Sequence, residues 1–377
     1  MRATVDAKTF AQALDQVSGL IHKSVIPVLN AVLVRFEEDR CTLASTNLNT
    51  WLSVGMPAQG DSFAFLLDRP RESARAFRQF EGELAMEQTE TGEGDRRRIK
   101  LALSCGPRSA ELHPFLPDDF PEQQAWEPMH SFTANAAKLY ARVERVKYAV
   151  GIPRKEEARA CRISVQFSGN RVYTLDGCRM AWDTDPELEV PAPFMAAPDA
   201  LEHLKLFGDQ TVSVQLGERF ARVTDGMTSL VFRLPEGELY KLDSALTDKF
   251  RAEFQVSPKE FLSELKYLKQ SLRGNRAHLV RFSGGALLAE SMGGAVRHEN
   301  LCRRVRRRGI WVQPGLYDGR HGAVQKRAVR GHEGQHRLPW PHHHRGPGAR
   351  RPGPGHARPA GRSQQGGIGG NNGFQGI

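Results

Sequence analysis

His332, Glu333 and His336 spell H-E-x-x-H, a spacing that on a helix sets two imidazoles on one face and a carboxylate beside a metal-bound water. Gly331, Gly334 and Pro339 oppose that helix, so a zinc-protease reading ranks last among the alternatives. The histidines at 342–344 offer adventitious metal affinity at most. Asp118 and Asp119 form an acidic pair, but they sit in the connection LPDDFP, where capping or solvating a turn is the expected role. The chain has no G-x-x-x-x-G-K-[ST] loop, no G-x-S-x-G elbow and no G-x-G-x-x-G after a strand. Its five cysteines, an odd count without a C-x-x-C pair, read as reduced thiols of a cytoplasm. No metal, no cofactor and no catalytic nucleophile is expected.

The remaining residues with a chemistry are bases. The net charge of +10 is unevenly spread: residues 302–377 hold 15 Lys+Arg against two acids, while residues 1–301 hold 38 against 41. The tail also carries 17 of the 36 glycines and seven of the 13 histidines, a composition that cannot bury enough apolar area to offset its chain entropy. Two further readings of it stand beside the zinc site. RRVRRR at 303–308 suits a basic disordered arm on nucleic acid. The abrupt onset, lost periodicity and Arg/Gly/Pro/His bias suit a GC-rich gene read out of frame.

In the body the bases fall on predicted helices. Arg69, Arg71, Arg75 and Arg78 lie on one; Lys138, Arg142, Arg145 and Lys147 on a second; Lys259, Lys266, Lys269, Arg273 and Arg276 in or just after a third. A solvated helix face is the ordinary meaning of one such run. Recurrence at equivalent places in a repeat favours a shared phosphate-facing surface.

That repeat organises the body. ATVDAKTFAQALDQVSGLI, FTANAAKLYARVERVKYAV and AEFQVSPKEFLSELKYLKQSL each run from an extended start into a helix with apolar residues three and four apart. With Phe10, Leu139 and Phe261 equivalent, the spacings are 129 and 122 residues, a domain-sized period. Alternating segments follow each helix, with Gly, Asn or Asp between the two runs of a hairpin. In the first two domains a second round appears, RPRESARAFRQF and DALEHLKLFG each leading into further alternating segments. Each complete domain is therefore expected to be a doubled strand, helix and hairpin unit. The longest apolar run, 63–67, falls far short of the roughly 20 residues of a membrane span, and the start MRATVDAKTF has no apolar leader, so a soluble, unexported protein is expected.

Residues 1 to about 301 resemble the bacterial DNA polymerase III beta subunit family, the beta sliding clamps. The resemblance lies in VIPVLNAVLV at 25–34, LASTNL at 43–48, LPDDFPEQQAW at 116–126, FTANAAKLYARV from Phe132 and TLDGCRMA at 174–181. It implies an α+β DNA clamp fold with domains at 1–128 and 129–247, a partial third at 248–301, and an unrelated tail at 302–377. It implies a processivity factor, not an enzyme: a head-to-tail homodimer ring that encircles duplex DNA without reading sequence and tethers polymerase and clamp-loader subunits, provided the third domain is intact.

For DNA, the basic helices supply Arg71, Arg75, Arg78, Lys138, Arg142, Arg145, Lys266 and Lys269, and the resemblance adds the loop residue Lys23. It places an apolar partner-peptide cleft at Leu175, Gly177, Arg179 and Met180, on an Asp-Gly-x-Arg-apolar turn shaped by Asp176, with Tyr240 and Ala245 nearby. Arg162 stands where the family has an apolar residue. Leu112 and Leu272 are the implied subunit contacts. The competing reading is a monomeric nucleic-acid-binding protein acting through its basic tail.

Overall fold

The computed structural model describes residues 1–92, 97–153, 159–246, 257–271, 280–283, 286–291, 294–298 and 310–312. Two modules start alike, and a third shares their helix. In the first, β1 (Arg2–Asp6) runs into α1 (Ala7–Ser18), capped by Asp6 accepting from the Thr9 amide at 2.8 Å. In the second, β9 (His130–Asn135) runs into α3 (Ala136–Val146), capped by Asn135 accepting from the Lys138 amide at 2.9 Å. Each cap fills a helix-start amide that has no intrahelical acceptor. The third helix, α6 (Pro258–Ser271), has Ser257 at the equivalent position. Phe10, Leu139 and Phe261 are all buried, as the repeat requires.

The doubling is an exchange of strands. The first module follows α1 with β2 (Val32–Glu37), β3 (Arg40–Thr46) and β4 (Thr50–Gly60). It then repeats with β5 (Phe63–Leu67), α2 (Pro70–Phe77), β6 (Glu83–Thr91), β7 (Arg98–Cys105) and β8 (Arg108–Leu112). The leading strand of each round pairs in the other round's sheet: β1 lies antiparallel to β6, and β5 to β2.

The second module keeps this plan. After α3 come a short helix α4 (Ala160–Ile163), β10 (Val165–Gly169), β11 (Arg171–Leu175) and β12 (Met180–Thr184). Its second round is β13 (Val190–Ala196), α5 (Pro198–Leu201), β14 (Thr211–Leu216), β15 (Phe220–Thr224) and β16 (Thr228–Arg233). Again β9 pairs with β14, and β13 with β10. The third module shows β17 (Val280–Ser283), β18 (Ala286–Ser291) and β19 (Gly294–His298), with β20 (Ile310–Val312) on β17. The sheet order β19-β18-β17-β20 repeats β12-β11-β10-β13. Thus β20, beyond the boundary expected at residue 301, occupies the place of β13.

One bond recurs between helix and hairpin. The buried Ser45 hydroxyl donates to the Val17 carbonyl at 2.7 Å, and the buried Thr174 hydroxyl, 129 residues on, donates to the Val146 carbonyl at 2.6 Å. Each gives a carbonyl at the end of the helix a side-chain donor from the hairpin. The first two modules are joined through β4, whose start pairs with β16 and whose end pairs with β1, giving a sheet of 12 strands. The connecting segment follows this seam. Phe115 bridges Leu66, and Trp126 lies on Phe220 at 6.4 Å with the Arg222 guanidinium 5.4 Å from its ring. A Cβ at Gly217 would come within 2.6 Å of Trp126, so only glycine admits the indole there. No helix among the described residues is long and apolar enough to cross a membrane.

Candidate functional site

The segment around the β11–β12 turn brings most of the expected cleft residues together. Asp176 shapes that turn: its Oδ1 accepts from the amides of Cys178 and Arg179, both at 2.9 Å, and its Oδ2 from Arg179 Nε at 2.8 Å. Gly177 follows at φ 94°, in the left-handed region that favours glycine. Leu175 and Met180 face each other across the turn, the first buried and the second half-buried. A Cβ at Gly177 would sit 3.3 Å from Arg162 Cζ, so the guanidinium covers this turn from α4.

Tyr240 is tied to the same place through two buried side chains. Gln166 accepts from the Tyr240 amide at 2.7 Å and donates to the Cys161 carbonyl at 2.8 Å, while the Tyr173 hydroxyl donates to the Tyr240 carbonyl at 2.9 Å. Burial, with help from the Asp243 charge, pushes the Tyr173 phenol up to about 12, so it keeps its proton for that bond. Arg171 pairs with Asp243 and holds the 3-10 turn Leu242–Ser244. Ala245, at the end of that turn, is exposed. The turn thus groups buried Leu175 and half-buried Met180 with Arg162 and Arg179.

The expected DNA-facing bases divide by environment. Lys23 is exposed in a loop stapled by Asn30, which accepts from the Ser24 amide at 2.8 Å and donates to the Ser24 carbonyl at 2.9 Å. On α2, Arg71 reaches the Ser18 and Ile21 carbonyls at 3.5 and 3.4 Å, and Arg78 meets Asp15 at 2.9 Å. Arg75 is exposed, with no ion pair among the described residues.

On α3 the picture is different. Arg142 Nη1 and Arg145 Nε meet one oxygen of Asp183 at 2.9 and 2.6 Å, Arg142 Nη2 meets Asp185 at 3.1 Å, and Lys138 meets Glu187 at 2.7 Å. Asp183 is 3% exposed, although the arginines around it keep partial access to water. Burial alone would raise its pKa, but the hydrogen bonds from Arg142 and Arg145 hold the carboxyl below its ordinary value. In the third module Lys266 is exposed on α6, while the Lys269 side chain and Leu272 lie outside the described residues. Leu112, on the edge strand β8, is half-buried against the core.

No protein-family model and no curated protein matches the sequence. Solved structures do match. The beta subunit from DNA polymerase of Streptococcus pyogenes shares this fold with a TM-score of 0.70 at 16% identity, over 84% of this chain and 88% of that one. The DNA polymerase III beta subunit of Thermotoga maritima gives 0.67 at 19% identity, over 84% and 88%. The sliding clamp of Pseudomonas aeruginosa bound to griselimycin gives 0.69 at 16% identity, over 84% and 90%. This chain has the sliding-clamp fold.

Within that clamp fold, the sequence pattern missed the carboxylates facing α3. A signal for one was present: in β12 the inward positions are Ala181 and Asp183, and a carboxylate at an apolar position requires a cationic partner. Gln166 and Tyr173 left no comparable trace, because their partner, Tyr240, is 74 and 67 residues away. Asp118 sits in a turn, as expected, and meets Arg97 at 3.1 Å. His332 to His336 lie outside the described residues, and no group of three metal-ligating side chains occurs among the described ones.

Proposed function

We propose that this chain is a DNA sliding clamp. The observation that carries the reading is the shared fold, which spans 84% of this chain and about nine-tenths of the clamps it matches. In this reading two copies join head to tail, encircle duplex DNA in the cytoplasm and hold a polymerase on its template. Affinity for DNA comes from topology, so phosphate contacts need only be weak and sequence-independent. The chain performs no chemistry of its own. Polymerase and clamp-loader subunits dock short peptides on the surface between Arg162, the 176–179 turn and Tyr240. There Leu175 and Met180 supply the apolar anchorage that usually dominates such contacts.

Primer extension on a singly primed circular template tests this. Added protein is expected to lengthen the products made by a bacterial replicative polymerase and its clamp loader in a single binding event. Met180→Asp, at a half-buried position, should cancel the gain while leaving the circular dichroism unchanged. Product lengths that do not respond to the wild-type protein would contradict the reading.

The charge of residues 302–377 favours a second reading, a monomer binding nucleic acid through its tail. Deleting the tail would then abolish DNA binding, whereas a clamp would still depend on its subunit contacts.

A further inference from the structure

Resting on the clamp reading, we infer that Asp185 and Glu187 set the DNA affinity of α3 by masking its cations. Three bases of this helix, Lys138, Arg142 and Arg145, line one groove of about 470 Å³ together with Ala141, Asp185, Pro186 and Glu187. In that groove every cation already has a carboxylate: Lys138 has Glu187, Arg142 has Asp183 and Asp185, and Arg145 has Asp183. Asp185, and the turn that carries Glu187, are held in place by the backbone. Asp185 Oδ1 accepts from the Glu187 amide at 3.0 Å, the Asp185 amide donates to the Asn170 carbonyl at 2.8 Å, and the Leu188 amide closes back on the Asp185 carbonyl at 3.1 Å.

A phosphate approaching α3 must therefore displace a carboxylate before it gains a contact. A cation already neutralised releases few counterions on binding DNA, so α3 contributes little to affinity or to its salt dependence. The equivalent demand on the first module is smaller, because Arg75 has no carboxylate among the described residues. A clamp must hold DNA without sticking to it, and the mask supplies that weakness on one helix.

The two acids differ in how safely they can be changed. Glu187 is 74% exposed, and Asn at 185 keeps the oxygen that accepts from the Glu187 amide. The experiment is anisotropy titration of the full chain with a short labelled duplex between about 50 and about 200 mM salt. The variants are Glu187→Gln alone, Asp185→Asn with Glu187→Gln, and a control of equal charge change on the exposed β2–β3 turn, Glu37→Gln with Glu38→Gln.

The double variant is expected to bind roughly three- to tenfold tighter at the low-salt end, with a salt slope steeper by about one to two. Glu187→Gln should give part of both changes. If the control tightens binding equally, the effect is net charge and the mask is overturned. Should Arg75→Ala weaken binding while the double variant matches wild type, the mask alone falls. If the wild type binds no duplex and no variant restores binding, the DNA reading falls and takes the mask with it.

Discussion

In the first module the bases along α2 and at its ends meet backbone carbonyls or exposed carboxylates, and Arg75 has no carboxylate among the described residues; in the second, Lys138, Arg142 and Arg145 of α3 meet three carboxylates delivered by β12 and the turn after it, one of them buried. Both helices are basic in sequence. What separates them is the strand packed alongside, since Asp183 occupies an inward position on β12 that an apolar residue would otherwise fill. The charge of a helix is therefore no measure of its field until the neighbouring hairpin is known. In α3 the arginines secure the helix to its sheet, and Arg75 on α2 stays available to a ligand.

The largest effect that would sharpen this contrast is on stability. Asp183→Ala leaves two partly buried guanidinium groups without their shared oxygen and should cost about 3 kcal/mol in urea unfolding. Asp15→Ala, which frees Arg78 from a pair about half exposed on both sides, should cost less than about 1 kcal/mol. Equal costs would remove the distinction.

A smaller effect follows from the titration of Asp183. Its carboxyl is held below the unfolded value of about 4, so its stabilisation is complete above that pH and is lost as pH falls through the folded value. Asp183→Asn should therefore flatten the acid limb of the stability profile below about pH 4 and lower the plateau above it. Loss confined to neutral pH would show that the aspartate is not the titrating group.

The smallest expected effect concerns DNA. Arg75→Ala should weaken duplex binding about threefold at low salt, the share of one phosphate contact, and Arg142→Ala should leave it within error. A greater loss from Arg142→Ala would reverse the assignment of the two helices.

Much of the scaffold was legible before the structure. The 129-residue spacing of Phe10 and Leu139 predicted two helices with equivalent buried faces, and the caps Asp6 and Asn135 obey the same offset. Hairpins at 32–46 and 165–175 followed from alternation around turn residues. DALEHLKLFG reads as one helix but forms α5 and then a 3-10 helix, Glu202–Phe207. Ala200, Leu204 and Phe207 are buried at the same spacing as Pro70, Ala74 and Phe77 of α2, so the apolar pattern announces the buried face and not the tighter turn.

The exchange of β1 and β5 between sheets, and the pairing of β4 with β16, join segments too distant for any local pattern to announce. The site was legible to a similar depth. Asp176 and Gly177 carry a turn signature in the sequence, but the anchoring of Tyr240 through Gln166 and Tyr173 is a product of folding.

The central claim is encirclement, and retention on closed DNA tests it most directly. Protein loaded onto nicked circular plasmid by a bacterial clamp loader is to be separated from free protein by gel filtration, before and after a nuclease cuts the plasmid once. A sliding clamp stays with the circle and runs off the linear product, so retention should collapse on cutting. Equal retention on circular and linear DNA would mean that the protein binds the surface of the duplex and does not enclose it.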